Sequence, residues 1–301
     1  MKPANFQFGL LYWPLKTLAL LPLWMLYGIS GALSFIGHRI VRYRVKVVRK
    51  NLRNSFPEKS EKELKRIERQ FYNHLGNVIF ETIKLLHISD RRLEKRVVVT
   101  NPEFVNKYLQ ENPYIILFLG HYANWEWVPA STLYLDKGIT MGSLYKPLLS
   151  KVMDRLTGIM RKRLGITLIK SREAYRTLLR MKNDGEKFMI GFIADQRPLG
   201  QPLHHWTEFL GQPAAFVAGG ETIGNRIGAK YLYLDMQRVS RGHYTLTFRE
   251  MQVSPDDKTD YPYTRLFFRM LEESIRKAPP YWLWSHNRWK ATPPEDWQTC
   301  R

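Results

Sequence analysis

Cysteine is nearly absent from this chain of 301 residues, which has a single one at Cys300. An intramolecular disulfide and a zinc site built on several thiolates are therefore excluded. The sequence contains no Gly-x-Gly-x-x-Gly fingerprint, no phosphate-binding loop and no Gly-x-Ser-x-Gly nucleophile motif. These absences argue against a nucleotide cofactor and against a serine hydrolase. The histidines show no metal-ligand spacing with Cys, Asp or Glu, so we expect no metal ion. With the nucleotide-binding motifs also missing, we expect no bound cofactor.

Acidic residues are also scarce. The chain has 27 Asp and Glu against 47 Lys and Arg, which gives a formal charge of +20 and a pI near 10.0. Such a surface attracts phosphate, nucleic acid, an anionic membrane or an acidic protein. The mean hydropathy of −0.37 excludes a polytopic membrane protein, while a hydrophobic fraction of 44% allows a packed core. The length fits one large domain, or one domain with a small appendage.

One long hydrophobic run is present, over residues 10–36, and Lys16 is its only charge. A helix of this length would reach about 40 Å, enough to cross a hydrocarbon layer of about 30 Å with some tilt. Pro14 and Pro22 would kink such a helix or confine it to one leaflet. No small-residue cleavage site follows a short apolar core, which argues against a removed signal peptide. The alternative is a buried hairpin of core helices.

The segment after this run is strongly basic. Its cations, with no acidic residue among them, are Arg39, Arg42, Arg44, Lys46, Arg49, Lys50 and Arg53. The positive-inside rule places the rest of the chain in the cytoplasm, and each such cation adds about 1 kcal/mol of attraction to anionic headgroups. We therefore predict a hydrophobic anchor with a basic juxtamembrane segment over residues 1–53, and one further domain over residues 54–301.

The remainder has the pattern of an α/β fold. Residues 114–119 and 188–193 are continuous apolar runs, as expected for adjacent or nearly adjacent strands buried on both faces. Residues 231–238 and 243–249 predict an antiparallel hairpin that closes one side of the sheet. The predicted helices cover residues 61–87, 125–135, 148–164, 172–182 and 261–277. This alternation indicates a mostly parallel sheet flanked by helices.

The first buried strand runs directly into a polar loop that contains His121, Asn124 and Glu126. Ligands of open α/β sheets gather at the carboxyl ends of strands, so His121 is well placed for chemistry. Asn124 is a good N-cap, which would put Glu126 in the first turn of the next helix. The loop could then bring His121 back to Glu126, whose carboxylate would fix the imidazole tautomer.

With no Ser or Cys nucleophile near this pair, the arrangement favours direct transfer. His121 would deprotonate a bound hydroxyl, which then attacks an activated acyl group. The helix N-terminus beside it could stabilise developing negative charge. The alternative from spacing alone is a purely structural one, with a histidine that caps a helix and a glutamate that favours its dipole.

Several ordered motifs resemble one known family. They are the strand ending in Gly120-His-Tyr-Ala-Asn-Trp-Glu126, Tyr145-Lys-Pro147, Arg161-Lys-Arg-Leu-Gly165, Ala194-Asp-Gln196, Phe209-Leu-Gly-Gln-Pro213 and the aromatic segment 281–290. Together they are similar to the lipid A biosynthesis acyltransferases, the late lauroyl and myristoyl transferases with a His-x4-Asp/Glu motif, within the glycerolipid acyltransferase-like superfamily. The resemblance covers most of the chain and is far more specific than the His-x4-Glu motif alone.

The resemblance implies an enzyme on the cytoplasmic face of the cell inner membrane. Such an enzyme moves a fatty acyl chain from acyl carrier protein, an acidic partner, to a hydroxyl of a lipid A precursor, an anionic glycolipid. Acyl carrier protein is then a co-substrate, and neither a cofactor nor nucleic acid is expected.

The same resemblance assigns roles to individual residues. His121 becomes the base and Glu126 its orienting partner, while Asn124, Arg161, Arg163 and Asp195 become substrate-binding residues. A purely structural role for the arginines and for Asp195 is the alternative. Lys146 departs from the arginine usual in the Tyr-Arg-Pro motif, and lysine lacks the bidentate fork of arginine.

Two other functions remain open at this stage. The first is acyl transfer to another glycerolipid, aminolipid or glycolipid, because other acyltransferases share the His-x4-Asp/Glu motif. The second is a basic protein that binds a membrane or nucleic acid without catalysis. No helix-turn-helix or other nucleic-acid-reading module is visible in the sequence, which disfavours the nucleic-acid interpretation.

Overall fold

The computed structural model describes residues 3–198, 205–295 and 297. Cys300 lies outside the described residues. The α-helices are α1 (Pro3–Leu20), α2 (Leu23–Phe35), α3 (Val45–Ser55), α4 (Glu61–Lys84), α5 (Asp90–Glu94), α6 (Pro102–Glu111), α7 (Lys151–Lys162), α8 (Ala174–Asn183), α9 (Gly219–Ile227) and α10 (Pro262–Lys277). A π-helical turn covers Ile36–Ile40, and 3₁₀ turns cover Trp125–Tyr134, Ser171–Glu173 and Pro279–Tyr281.

The strands form a sheet of seven and a separate two-stranded ribbon. They are β1 (Val97–Val99), β2 (Tyr114–Leu119), β3 (Ile139–Tyr145), β4 (Thr167–Lys170), β5 (Lys187–Ile193), β6 (Trp206–Phe209), β7 (Gln212–Ala215), β8 (Lys230–Ser240) and β9 (His243–Glu250). The large sheet has the order β1-β9-β8-β2-β5-β3-β4, and β6 pairs with β7. Strands β8, β2, β5, β3 and β4 all run parallel, so the predicted α/β fold with a mostly parallel sheet is confirmed.

The two apolar runs are neighbouring strands at the centre of the sheet, as predicted. Leu117 of β2 pairs with Gly191 of β5, and the remaining residues of the two strands follow in register. Helices cover both faces, which explains why these strands are continuously apolar rather than alternating. The predicted hairpin is β8–β9, but it does not close the sheet, because β1 extends the sheet beyond it.

Local sequence explains where the helices begin and end. Ser60 and Glu63 form a reciprocal capping box that starts α4, and the helix ends at Lys84, three residues short of the predicted end. The predicted helix over 125–135 is a 3₁₀ segment instead. Pro129 lies inside it and cannot donate a backbone hydrogen bond, which disfavours a regular α-helix.

The hydrophobic amino-terminal run forms two helices rather than one. The helix axis bends by 120° between Phe6–Leu20 and Leu23–Ile40, with Pro22 at the break. Within the described residues no single helix is long and apolar enough to cross a membrane, although this bent pair passes by length and composition. The predicted membrane anchor therefore stays a prediction.

The amino-terminal helices share their core with the rest of the chain. Leu26 of α2 and Val48 and Leu52 of α3 are buried in the main hydrophobic cluster. The amide of Asn51 donates to the carbonyl oxygens of Trp284 and His286, both at 2.9 Å. Residues 23–53, which the sequence assigns to the anchor and the basic segment, thus pack against residues of the predicted domain over 54–301.

Candidate active site

The loop after β2 is held in place by backbone bonds to the segment near the carboxyl terminus. The amide of Ala123 donates to Tyr281 O at 2.9 Å, and the amide of Leu283 donates to His121 O at 3.1 Å. Ala123 adopts a left-handed conformation with φ of 52°, which costs a non-glycine residue of order 1 kcal/mol. Gly120 begins the loop because a Cβ there would lie 2.8 Å from Leu271. Several independent contacts therefore fix the conformation of this loop.

His121 is paired with Asp195 rather than with Glu126. Its Nδ1 lies 2.7 Å from Oδ1 of Asp195, and its backbone amide donates to Oδ2 of the same carboxylate at 3.0 Å. The indole Nε1 of Trp282 donates to Oδ2 at 2.8 Å. No direct hydrogen bond joins His121 to Glu126, because β5 ends beside β2 and brings Asp195 against the ring. The predicted orienting role of Glu126 toward His121 stays a prediction.

This geometry fixes the tautomer of His121. Burial alone would raise the pKa of Asp195, but the positive charge that His121 carries when it is protonated, and the hydrogen bonds from His121 and Trp282, hold this pKa below its usual value. An ionised carboxylate only accepts hydrogen bonds, so the ring proton is on Nδ1 and the lone pair is on Nε2. The side-chain nitrogen of Gln196 lies 3.2 Å from Nε2, where it can donate to that lone pair. A basic nitrogen therefore points away from Asp195.

Glu126 is engaged with Arg161. Nε of Arg161 donates to Oε2 at 3.0 Å and Nη2 donates to Oε1 at 2.6 Å, a bidentate ion pair. Both side chains line the same cavity as His121. The ion pair uses Nε and Nη2 of Arg161. The third nitrogen, Nη1, has no hydrogen-bond partner among the described residues. Arg161 thus lines the cavity, but a carboxylate already occupies its fork, and its predicted role in binding substrate stays a prediction.

Asn124 precedes the 3₁₀ segment without capping it. Its side-chain amide donates instead to Oε2 of Glu81 at 2.6 Å, and its side chain is fully buried. Glu81 also accepts from the hydroxyls of Tyr27 and Tyr244, at 2.8 and 2.7 Å. Burial raises the pKa of Glu81, against the lowering effect of these hydrogen bonds. Asn124 therefore stands at the predicted N-cap position, with Glu126 in the first turn, but its side chain makes no capping bond and anchors the loop to α4 instead.

Arg163 lies away from the cavity that holds His121. Its Nη2 donates to the carbonyl oxygen of Ile88 and, at 2.7 Å, to the carboxylate of Asp90. Two contacts to the start of α5 favour the structural alternative for this arginine. Lys146, the residue that replaces the usual arginine, lines the cavity.

The cavity beside His121 has a volume of about 720 Å³. The polar side chains in its lining include His121, Glu126, Arg161 and Gln196. Apolar side chains supply most of its remaining wall: Leu117, Leu119, Val128, Met141, Ile166, Phe192, Ile193 and Ile223. A cavity walled mostly by apolar side chains, with polar and charged groups among them, is suited to an apolar ligand with one reactive end.

The sequence analysis predicted no role for three residues that support the site. Gln196 and Trp282 lie in motifs recognised there, and Glu81 occupies a buried position on α4. A signal existed for Glu81, because it stands in the apolar stripe of α4 between Val78 and Leu85. A charged residue in such a stripe indicates a buried polar network. Residues 3–198, 205–295 and 297 contain no cluster of three or more His, Cys, Asp or Glu arranged for a metal ion.

The fold and this site define an α/β protein with a histidine–aspartate pair beside a largely apolar cavity. The family model for bacterial lipid A biosynthesis acyltransferases matches residues 3–291, and the chain belongs to that family. It is therefore an acyltransferase of the lipid A type, as the motifs of the sequence predict.

Curated relatives agree with this family. The chain is 23% identical over 277 residues to the lipid A biosynthesis lauroyltransferase of Escherichia coli K12, covering 91% of this chain and 88% of the relative. It is 24% identical over 271 residues to the lipid A biosynthesis palmitoleoyltransferase of the same organism, covering 87% and 86%. It is 21% identical over 286 residues to a lipid A biosynthesis acyltransferase of Haemophilus influenzae, covering 94% and 87%.

Proposed function

We propose that this protein transfers a fatty acyl chain from acyl carrier protein to a hydroxyl of a lipid A precursor, with His121 as general base. The observation that carries the proposal is the paired and oriented imidazole of His121 in the wall of a largely apolar cavity. Membership of the lipid A acyltransferase family supports the acceptor class. The excess of basic residues supports an acidic donor protein, because opposite charge speeds encounter.

The chemistry follows from the lone pair on Nε2 of His121. The acceptor hydroxyl gives its proton to Nε2 while its oxygen forms a bond to the thioester carbonyl carbon. Asp195 then stabilises the imidazolium through the 2.7 Å contact to Nδ1. The tetrahedral intermediate collapses, the carbon–sulfur bond breaks, and the thiolate takes the proton back from Nε2. No covalent acyl-enzyme is required.

Arg161 and Glu126 serve this step by position rather than by proton transfer. Their bidentate pair fixes both side chains at the cavity wall. The free Nη1 of Arg161 can then donate to the thioester carbonyl oxygen, where negative charge develops. On this scheme Glu126 orients Arg161, instead of orienting His121.

The location at the cytoplasmic face of the inner membrane is part of the same proposal. One face of α1 and α2 packs on the core, while the other leaves large apolar side chains exposed. Trp24 is 73% exposed, Phe35 62% and Ile40 67%. An apolar face of this size beside basic residues suits insertion into the headgroup region.

The test of the function is acyl transfer followed by mass spectrometry. Purified protein is supplied with acyl carrier proteins that carry chains of different length, and with a lipid A precursor, a lysoglycerophospholipid or neither. The proposal expects the mass of one acyl chain to be added to the lipid A precursor alone. Transfer only to the glycerolipid would replace the proposed acceptor, and transfer only from acyl coenzyme A would replace the proposed donor.

Substitution of the exposed apolar face should release the protein from membranes. We expect the triple variant Trp24→Ser, Phe35→Ser, Ile40→Ser to move largely into the soluble fraction while its melting temperature stays close to wild type. These side chains contact solvent rather than core, so their loss removes membrane contact and no internal packing. The control is Val98→Ser, Phe104→Ser, at exposed apolar positions on β1 and α6. Equal release by both variants would contradict the assignment.

Filling the cavity should shorten the preferred acyl chain. Gly191 lines the cavity, and a Cβ there would meet its nearest atoms at 3.5 Å, an ordinary contact. Gly191→Ala and Gly191→Val should therefore fold, and the larger side chain should displace more of the acyl chain. We expect a graded shift toward shorter donors in a competition between acyl carrier proteins of mixed chain length. An unchanged product distribution for Gly191→Val would show that the chain binds elsewhere.

A further inference from the structure

A second cavity of about 550 Å³ lies at the bend between α1 and α2, apart from the cavity that holds His121. Its walls are shared by the helix bend, the end of α4, the segment around α5 and the turn of the β8–β9 hairpin. Five cations line it: Lys84, Arg92, Lys95, Arg96 and Arg241. The residues that line it include no Asp or Glu. We call this group of cations the basic pocket.

The cations of the basic pocket lack counter-charges. No described carboxylate lies within 4.0 Å of any of their nitrogens. Lys84 donates only to backbone carbonyls, at 2.7 and 2.8 Å, and one guanidinium nitrogen of Arg96 donates to Gly242 O at 3.2 Å. Burial and the neighbouring charges of Arg92 and Arg96 lower the pKa of Lys84. Like charges held together in this way are relieved when an anion binds.

One wall of the basic pocket, the turn of the β8–β9 hairpin, lies at the edge of the sheet that carries the active site. Strand β8 runs parallel to β2, so the turn that contains Arg241 lies at the same edge of the sheet as His121. The turn packs closely against α2: a Cβ on Gly242, at φ of 71°, would lie only 2.0 Å from the hydroxyl of Tyr27. Trp24, which belongs to the exposed apolar face, also lines the pocket.

We propose that the basic pocket binds the phosphate of a lipid headgroup at the membrane surface. Its five cations complement a phosphate, and its position under the bend of two apolar helices puts it at headgroup depth if the exposed face of α2 enters the bilayer. The phosphate can belong to an anionic phospholipid of the bilayer or to the acceptor itself, and the chemistry of recognition is the same. The site is separate from residues 39–53, so it adds to the attraction of that basic run.

The test compares two variants that remove the same charge. Arg92→Gln, Lys95→Gln changes exposed members of the basic pocket, and Lys187→Gln, Lys230→Gln changes exposed cations at the amino ends of β5 and β8, on the opposite edge of the sheet. Binding is measured by sedimentation of the full chain with vesicles of zwitterionic phospholipid, with and without an anionic phospholipid. This arm needs no catalysis, so it stands even if the proposed acyl transfer fails.

We expect the pocket variant to bind anionic vesicles roughly 10- to 30-fold more weakly than wild type, and zwitterionic vesicles equally well. The matched control should stay within about twofold of wild type on both. A second arm, which rests on the proposed function, measures KM for a phosphorylated and a dephosphorylated acceptor in neutral detergent. An effect on the vesicles assigns the phosphate to bilayer lipid, and a KM effect confined to the phosphorylated acceptor assigns it to the acceptor. If the pocket variant matches the control in both arms, the proposal is overturned.

Discussion

His121→Ala is expected to lower the rate of acyl transfer by roughly 10²-fold or more, with the protein still folded. The reason is the loss of the lone pair on Nε2, which on the proposed scheme takes the proton of the acceptor hydroxyl. The side chain lines a cavity, so its removal enlarges a space that already exists and opens no new void in the core. The measurement is the initial rate of transfer from acyl carrier protein, read by mass.

A matched histidine controls for the substitution itself. His87 is exposed after the end of α4, and it does not line the cavity. His87→Ala should keep the activity of wild type, and both variants should melt near the wild-type temperature. Full activity in a folded His121→Ala protein would contradict the general-base mechanism, and an equal loss in His87→Ala would point to a defect of folding instead.

The central strands of the sheet were predictable because their sequences are continuously apolar. The runs over 114–119 and 188–193 are apolar at every position, as central parallel strands require, and they are indeed paired. Short edge elements such as β1 carry no comparable pattern. Strand β1 has only three residues, one of them exposed, and periodicity cannot distinguish so short a segment from a loop. Its pairing with β9 also depends on residues about 150 positions away.

The partner of His121 shows what sequence spacing leaves open. Glu126 is near in sequence and Asp195 is 74 residues away, so the motif alone favours Glu126. Parallel pairing of β2 and β5 decides otherwise, because their carboxyl ends meet at one edge and bring His121 and Asp195 together. Both strand ends were visible in the sequence, and the adjacency of the strands was predicted. The pairing of the two side chains could have been derived from that adjacency.

Asp195→Asn is expected to lower the rate of transfer by roughly 10²- to 10⁴-fold, although the side chain keeps its shape. Two donors, the backbone amide of His121 and the indole of Trp282, converge on Oδ2. The side chain of asparagine has a single oxygen, and these two donors hold that oxygen at the position of Oδ2. The NH₂ group of the asparagine must then face Nδ1 of His121, where Oδ1 now accepts. The ring proton moves to Nε2, and the basic nitrogen is lost.

Glu126→Gln is the comparison that separates the two carboxylates. It weakens the ion pair with Arg161 but leaves the tautomer of His121 untouched, so its loss of activity should be smaller. The loss should appear mainly in kcat, because Arg161 acts on the charge that develops in the transition state. The nitrogen-15 spectrum of labelled histidine reports the tautomer directly. It should show the proton on Nδ1 in wild type and in Glu126→Gln, and on Nε2 only in Asp195→Asn. A larger loss for Glu126→Gln, with no change of tautomer in Asp195→Asn, would return the orienting role to Glu126.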